Sequence, residues 1–259
     1  MPVLKVALLH LDPRPGELDF NRALVERAVR LAAASGARFI VTPELVESGY
    51  HFRDHIGTDW VGPESKAWLD RMNTLAADLG ITLLLATAER DARTGQLYNT
   101  MFALTGDSQY SGKHRKINIH PSHTLESWSG INDSAEIIEL PQFKIGVLIC
   151  ADAWRPSIAR ELASKGAELL ISGANWGERP CPPEDCWEKR SFENDVPVWV
   201  CNRTGVEAEL SFEDAPSVVS VGGKRLLSHY GPGSVILLFD WDLDKKVPLQ
   251  ADFEVVPVS

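Results

Sequence analysis

The chain has 259 residues, of which 44% are hydrophobic and 24% are charged, an ordinary balance for one globular α/β domain. Its 26 Lys and Arg against 36 Asp and Glu give a net charge of −10, which argues against nucleic acid and membrane surfaces as partners. No apolar run approaches the ~18 residues that a membrane-spanning helix needs. The four cysteines are not dense enough for a disulfide framework, so a reduced, cytoplasmic setting is predicted.

Strands and helices alternate along the chain. Short apolar runs predict strands, and apolar residues at helical spacing predict helices. In chain order the predictions are strand 4–10, helix 18–34, strand 38–42, helix 64–79, strand 81–89, hairpin 97–105 and 110–117, strand 143–150, helix 156–165, strand 168–174, helix 183–195 and strands 197–202, 217–223 and 234–240. The alternation predicts an α/β fold. A single domain, 1–259, is expected, with 243–259 as a C-terminal tail available to pack on a partner.

Cys150 ends the apolar run 143–150 and precedes a predicted helix. Functional sites collect at strand ends of α/β sheets, and the start of a helix lowers the pKa of a nearby thiol. The competing interpretation is a small core residue, and the position alone does not decide between the two.

Three other side chains supply what a reactive thiol needs. Glu44 follows strand 38–42, Lys116 lies beside apolar residues in a basic segment, and Glu126 lies in a polar loop. Taken singly, they are explained as a turn residue, a solvated basic face and a loop carboxylate. Taken together with Cys150, they offer a base for the thiol and a cation for an oxyanion.

Three ordered segments resemble motifs of the nitrilase, or carbon–nitrogen hydrolase, superfamily. These are PELVESGY at 43–50, HRKINI at 114–119 and GVLICAD at 146–152. They resemble the family patterns P-E-x-x-x-x-G-Y, R-K-x-H-L after an aromatic residue, and G-x-x-x-C-x-D. Asn175-Trp176 and Asn202-Arg203 resemble downstream family positions. The resemblance covers about residues 4–240, nearly the whole chain.

The resemblance implies a four-layer α-β-β-α sandwich that assembles into a homodimer or a higher homo-oligomer. It also implies that Glu44 is the general base and Cys150 the nucleophile of a thioester mechanism. Lys116 and the backbone N–H of Ala151 then hold the oxyanion, while Glu126 positions the substrate and tunes Lys116. No metal or organic cofactor is required.

Two positions depart from the family pattern. His114 replaces the aromatic residue, and Asn118 replaces the histidine that follows the lysine by two. Both are expected to alter the pocket wall more than the chemistry. A metal site at Cys181 and Cys186 is not expected, because no partner ligands have zinc-type spacing.

Substrate contacts are predicted for Tyr50 and for three tryptophans that follow site motifs, Trp128, Trp154 and Trp176. Core packing is the competing interpretation for each tryptophan. Arg155 either pairs with a substrate carboxylate or forms a salt bridge with a nearby aspartate, Asp152.

The predicted reaction is hydrolysis of a small amide. A nitrilase acting on a small nitrile is an alternative. The pattern typical of nitrilases from the nucleophile onward is C-W-E-H, however, and this chain has C-A-D-A at 150–153. An N-carbamoyl amine hydrolase, a glutaminase subunit serving a separate synthetase and a non-catalytic scaffold are further candidate functions. A structural cysteine in an unrelated α/β fold leaves the ordered motifs unexplained.

Overall fold

Two β-sheets pack face to face, and helices cover their outer faces. The computed structural model describes residues 2–107, 110–119, 128–129, 135–177 and 185–258. In these ranges the helices are α1 (Leu18–Ala34), α2 (Phe52–Ile56), α3 (Pro63–Leu79), α4 (Pro156–Ser164) and α5 (Cys186–Asn194), with a 3-10 turn at Cys150–Trp154.

The first sheet has the strand order β15-β14-β1-β2-β3-β4-β5, with β16 also paired to β14. Its core strands β1, β2 and β3 are parallel, and β4 returns antiparallel to β3. Its strands are β1 (Val3–His10), β2 (Phe39–Val41), β3 (Thr82–Arg90), β4 (Leu97–Leu104), β5 (Gly112–Arg115), β14 (Val235–Asp242), β15 (Val247–Pro248) and β16 (Glu254–Pro257).

The second sheet has the strand order β13-β12-β9-β8-β7-β6, with β7, β8 and β9 parallel. Its strands are β6 (Ile137–Glu139), β7 (Lys144–Val147), β8 (Leu169–Ala174), β9 (Val198–Asn202), β12 (Ser217–Val221) and β13 (Lys224–His229). A separate short pair joins β10 (Val206–Glu207) to β11 (Leu210–Ser211).

Alternation along β1 shows how the layers form. Ala7 and Leu9 pack with apolar residues of α1 and α3, whereas Val6 and Leu8 pack in the core shared with the second sheet. That shared core continues to α4 and α5 on the far side. Successive strand residues point to opposite faces, so a run that is apolar at every position is buried on both. The four-layer α-β-β-α sandwich is thus confirmed.

The predicted strand 143–150 is wrong at its carboxyl end. β7 ends at Val147, and the chain turns into the 3-10 helix at Cys150. Asp152 closes this turn, because its Oδ2 accepts a hydrogen bond from the Ile149 N–H at 3.0 Å and its own N–H donates to the Ile149 carbonyl at 3.0 Å. A local side-chain hydrogen bond therefore competes with the strand that the apolar run favours.

The C-terminal segment that the sequence predicts as a tail contributes β15 and β16. β16 pairs antiparallel with β14, with Val255 opposite Leu237. This pairing satisfies backbone groups that an exposed strand edge leaves open. None of the helices in the described ranges is long and apolar enough to span a bilayer.

Gly173 in β8 lies where the second sheet closely approaches the first sheet and the loop after β2. A Cβ at this position would lie 2.6 Å from Met101 Cε and 2.9 Å from the Thr42 carbonyl oxygen. Any larger residue would push the second sheet away from the segment that carries Glu44. The close approach brings residues of both sheets to one place.

Candidate active site

Glu44, Lys116 and Cys150 meet although they follow strands of different sheets. Glu44 lies in the turn after β2, Lys116 directly follows β5, and Cys150 begins the 3-10 turn after β7. Glu44 is fully buried, and Lys116 and Cys150 are 6% and 9% exposed. The sheet-to-sheet packing thus brings together the three residues that the motifs select.

Three donors fix the Glu44 carboxylate. Oε1 accepts hydrogen bonds from Lys116 Nζ and from Asn99 Nδ2, each at 2.6 Å. Oε2 accepts one from the backbone N–H of Asn175 at 3.1 Å. A buried carboxylate needs such partners to offset its desolvation. Asn99 was not anticipated, since an asparagine inside a strand carries no sequence signal that points to a distant carboxylate.

Cys150 combines contact with Glu44 and an unfavourable backbone. Its thiol interacts with the Glu44 carboxylate and with the Asn175 N–H, and both affect the pKa of the thiol. Its φ is +47°, in the left-handed region that non-glycine residues rarely adopt. Such strain costs about 1–3 kcal/mol and clusters at functional sites. Leu45, next to Glu44, has a similar φ of +49°. The turns that carry the Glu44 carboxylate and the Cys150 thiol are therefore both strained.

The pKa of the Cys150 thiol lies above its ordinary value. Burial raises it most, and the Glu44 carboxylate raises it further, against Lys116 and the Asn175 N–H, which lower it. The predicted lowering by a helix start is wrong, because desolvation outweighs the short 3-10 turn. The thiol therefore rests protonated, and deprotonation requires a base.

The ammonium of Lys116 is held charged. Burial alone would lower the pKa of Lys116, but the Glu44 carboxylate together with the neighbouring Cys150 and Tyr50 raises it above its ordinary range. Lys116 is also fixed at its backbone, where its N–H donates to the Asn99 carbonyl at 2.8 Å. A positive charge is thus permanently placed beside the thiol.

Tyr50 lies near the same three groups. Burial raises the pKa of its phenol most, the Lys116 ammonium lowers it, and the Glu44 carboxylate raises it further. The hydroxyl therefore stays protonated and able to donate. That Tyr50 contacts substrate stays a prediction.

A second buried charge cluster supports the Tyr50 segment from behind. The Glu207 carboxylate accepts hydrogen bonds from the backbone N–H groups of Tyr50, at 3.1 Å, and His51. It also pairs with the buried guanidinium of Arg203, which reaches Asp12 at 3.3 Å. Burial alone would raise the pKa of Glu207, but the His51 side chain, the Arg203 guanidinium and the two backbone N–H groups lower it to about 2.

Ala151 and Trp154 lie in the 3-10 turn, and Trp176 follows β8. The rings of Trp154 and Trp176 are 5.8 Å apart, and Trp176 stacks edge-on against Trp187 at 4.3 Å. Trp176 directly follows Asn175, whose N–H contacts Glu44. Ala151 is the second residue of the turn, where N–H groups have no acceptor within the helix.

Trp128 lies in an apolar cluster behind the Glu44 turn. It is 8% exposed, and its ring packs 6.0 Å from Phe52 in a group that includes Leu45 and Trp60, with Tyr50 against it. This packing is the core-type placement that the sequence left open. Glu126 falls outside the described residues, so its role stays a prediction.

The side chain of Asn175 is buried without hydrogen-bond partners. Its side chain is 6% exposed, yet neither the amide nitrogen nor the amide oxygen has a hydrogen-bond partner. Among the described residues it is the one whose two side-chain polar atoms are both buried and unpaired. Each unpaired buried group costs about 1–3 kcal/mol. A functional explanation is therefore expected.

The salt bridge between Arg155 and Asp152, left open by the sequence, is absent: Arg155 is exposed, and fully buried Asp152 bonds other groups. Within the described ranges, no group of three or more His, Cys, Asp or Glu could hold a metal ion. Cys181 lies outside those ranges, so the expectation for the Cys181–Cys186 pair stays a prediction.

Comparison with known proteins identifies relatives of this arrangement. A family profile described as carbon-nitrogen hydrolase matches residues 5–237. The chain is 31% identical over 213 residues to a nitrilase from Pyrococcus abyssi, covering 81% of this chain and 79% of that protein. It is 28% identical over 256 residues to N-carbamoylputrescine amidase from Arabidopsis thaliana, covering 93% of this chain and 84% of that protein.

A solved structure shares the fold. An amidase of the nitrilase superfamily from Nesterenkonia AN1 superposes with a TM-score of 0.82 at 21% identity, covering 92% of this chain and 90% of that chain. Another structure of the same amidase shows Michael addition of acrylamide at its active-site cysteine.

Proposed function

The chain belongs to the carbon–nitrogen hydrolase family of the nitrilase superfamily, and from this premise we propose that it hydrolyses a small amide to a carboxylic acid and ammonia. One observation carries the proposal: a single buried carboxylate, Glu44, accepts a hydrogen bond from the ammonium of Lys116 at 2.6 Å and interacts electrostatically with the thiol of Cys150. A base, a cation and a nucleophile in mutual contact are the parts that acyl transfer requires.

In the first half-reaction Glu44 takes the thiol proton as Cys150 Sγ bonds to the amide carbon. The carbonyl π electrons move to oxygen, and the Lys116 ammonium and the Ala151 N–H hold the resulting oxyanion. The oxyanion then re-forms the carbonyl as the carbon–nitrogen bond breaks. Glu44 returns its proton to the leaving nitrogen, and ammonia departs from a thioester on Cys150.

The second half-reaction reverses these roles with water. Glu44 takes a proton from water as the water oxygen attacks the thioester carbon, and the same donors hold the second oxyanion. The carbon–sulfur bond breaks, the acid leaves, and Glu44 returns the proton to the thiolate. Because the pKa of the free thiol is raised, the proton is transferred as the substrate reacts, and no stable thiolate is needed.

Asn175 supports an amide as the substrate. Its unpaired side chain offers one N–H donor and one carbonyl acceptor, and an amide substrate offers the complementary acceptor and donor. Tyr50, Trp154 and Trp176 are proposed to line the pocket beside it. Their aromatic surfaces favour a substrate with a flat or apolar portion.

Two other substrate classes come from relatives. The similarity to a nitrilase and to an N-carbamoylputrescine amidase makes nitriles and N-carbamoyl amines the alternatives. A non-catalytic scaffold is disfavoured by the complete trio of Glu44, Lys116 and Cys150. The homodimer and the cytoplasmic location stay predictions.

The test is ammonia release from a panel of small amides, N-carbamoyl amines and nitriles. Carboxylic acid and carbon dioxide are measured as well, since carbamoyl hydrolysis alone releases carbon dioxide. Cys150→Ala is run beside the wild type, and Cys201→Ala is the matched control. Cys201 is also a buried thiol, but its hydrogen bonds go to the carbonyls of Leu9 and Val41.

We expect acid and ammonia from amides with the wild type and with Cys201→Ala, and none with Cys150→Ala. Turnover of only carbamoyl amines or only nitriles would replace the substrate class but keep the mechanism. Turnover that survives Cys150→Ala, or no turnover at all, would overturn the proposed reaction.

A further inference from the structure

The segment that carries Lys116 is tied to the turn that carries Cys150 by a buried carboxylate. Asp152 lies two residues after Cys150 and is fully buried. Its Oδ1 accepts hydrogen bonds from the backbone N–H groups of Ile117, at 3.0 Å, and Asn118, at 2.6 Å. These bonds join residues that are 34 and 35 positions apart in the chain. Ile117 and Asn118 follow β5 at the edge of the first sheet, and Asp152 follows β7 of the second sheet.

The imidazole of His114 adds a side-chain tie to the same carboxylate. His114 lies in β5, is 4% exposed, and places Nε2 3.0 Å from Asp152 Oδ2. With a carboxylate oxygen as the acceptor, His114 Nε2 is the donor of this hydrogen bond. The replacement of an aromatic residue by His114 thus supplies an N–H directed at the Cys150 turn. The expectation that this departure alters mainly the pocket wall stays a prediction, and the structure places the imidazole against Asp152.

Asn118 makes the matching tie on the other side of Lys116. Its Nδ2 donates to the Ala151 carbonyl at 2.6 Å, and its side chain is nearly buried. His114 precedes Lys116 by two residues and Asn118 follows it by two. Both side chains therefore bond to the turn at 150–152, one on each side of the lysine.

We infer that His114 and Asn118 are positioning residues that hold the Lys116 ammonium in register with the Cys150 thiol, with Asp152 as their anchor. The lysine side chain is long and has many rotamers, so fixing the backbone on both sides reduces the freedom that Glu44 alone must restrain. Catalytic groups need such support to remain within about 0.5 Å of their working geometry. The effect on turnover rests on the proposed function, but the effect on the thiol does not.

The first experiment measures the thiol directly. Cys150 is alkylated with iodoacetamide from pH 6 to pH 10, and its rate is followed by peptide mass spectrometry. His114→Gln keeps an N–H donor, and His114→Phe keeps a ring without one. His10→Phe is the matched stability control, because His10 is another buried imidazole whose hydrogen bonds go to the Asn202 carbonyl and Ser217 Oγ.

We expect His114→Phe to slow alkylation of Cys150 by about tenfold at pH 8, because a displaced cation stabilises the thiolate less. His114→Gln should restore most of the rate. His10→Phe should lower the melting temperature without slowing alkylation. If His114→Phe does not fold, Asn118→Ala tests the other tie, with a smaller decrease in the same direction.

The second experiment measures turnover of the substrate found in the panel. His114→Phe should lower kcat by up to about 100-fold with little change in KM, since the lysine acts on the oxyanion and not on the bound amide. Wild-type alkylation rates in both His114→Phe and Asn118→Ala would overturn the inference. Absence of wild-type turnover would count against the proposed function only, because the alkylation experiment needs no substrate.

Discussion

Two buried charge clusters involve the chain segment 44–50, and they are built differently. One surrounds Glu44 and the other surrounds Glu207. Glu207 has a guanidinium and two backbone N–H groups as partners, and its pKa is low, about 2. Beside Glu44 the thiol of Cys150 is protonated, its backbone is strained, and the Asn175 amide is unpaired.

The difference separates support from chemistry. A cluster in which a carboxylate is held by a guanidinium and two backbone N–H groups stabilises one conformation. A cluster that leaves a strained nucleophile and an unpaired amide beside a charged lysine retains interactions that a substrate can complete. The comparison indicates that stability and reactivity are divided between neighbouring sites, and three substitutions test this division.

The largest effect is expected from removing the general base. Glu44→Gln should lower kcat/KM by about 10²–10⁴-fold, because the thiol loses its proton acceptor while the side-chain shape is kept. Glu207→Gln, the matched substitution in the other cluster, should lower it by less than about tenfold, because it touches no reacting group. Steady-state kinetics on both variants, with circular dichroism as the folding check, measures this. Equal losses would contradict the division.

An intermediate effect is expected from Glu207 in acid. Because its folded-state pKa is lowered to about 2 from an ordinary 4.5, its ionised form stabilises the fold above pH 4.5, and this contribution is lost as the pH falls toward 2. Between pH 6 and pH 3 the wild type should lose about 2 kcal/mol more unfolding free energy than Glu207→Gln. Urea denaturation at both pH values measures it. Parallel losses in the two proteins would show that Glu207 is not the group responsible.

The smallest effect, and the one of opposite sign, is expected from Asn175→Leu. Replacing an unpaired buried amide by an apolar side chain of similar size should raise the free energy of unfolding by about 1 kcal/mol. The same change should raise KM about tenfold, since the substrate amide loses one hydrogen-bonding partner. Denaturation and kinetics on one preparation test both signs. A destabilised variant with unchanged KM would make Asn175 a structural residue.

Several features were accessible from residue patterns alone. Continuous apolar runs such as 4–10 and 168–174 predicted strands that are covered on both faces. The predicted helices 18–34 and 64–79 lie within a residue of the observed ends. Local periodicity reports burial because it arises from the geometry of each element. The ordered motifs likewise selected Glu44, Lys116 and Cys150, which the structure brings into contact.

Other features depended on residues that are distant in the chain. Asn99 reaches Glu44 only because β4 lies beside β3, and β16 closes the edge of β14 through pairing that no periodicity indicates. The strand predicted to reach Cys150 stops early because one carboxylate caps a turn. Such contacts are set by packing, which a short sequence window does not contain.

The sequence by itself thus determined the α/β fold class through local pattern, and it indicated the four-layer sandwich and the residues of the candidate site through the resemblance of its motifs to a family. Only the tertiary structure decided the protonation of the thiol, the strain at Cys150 and the ties from His114 and Asn118 to its turn. The physical reason is that desolvation and hydrogen bonding depend on which distant groups fold against a residue.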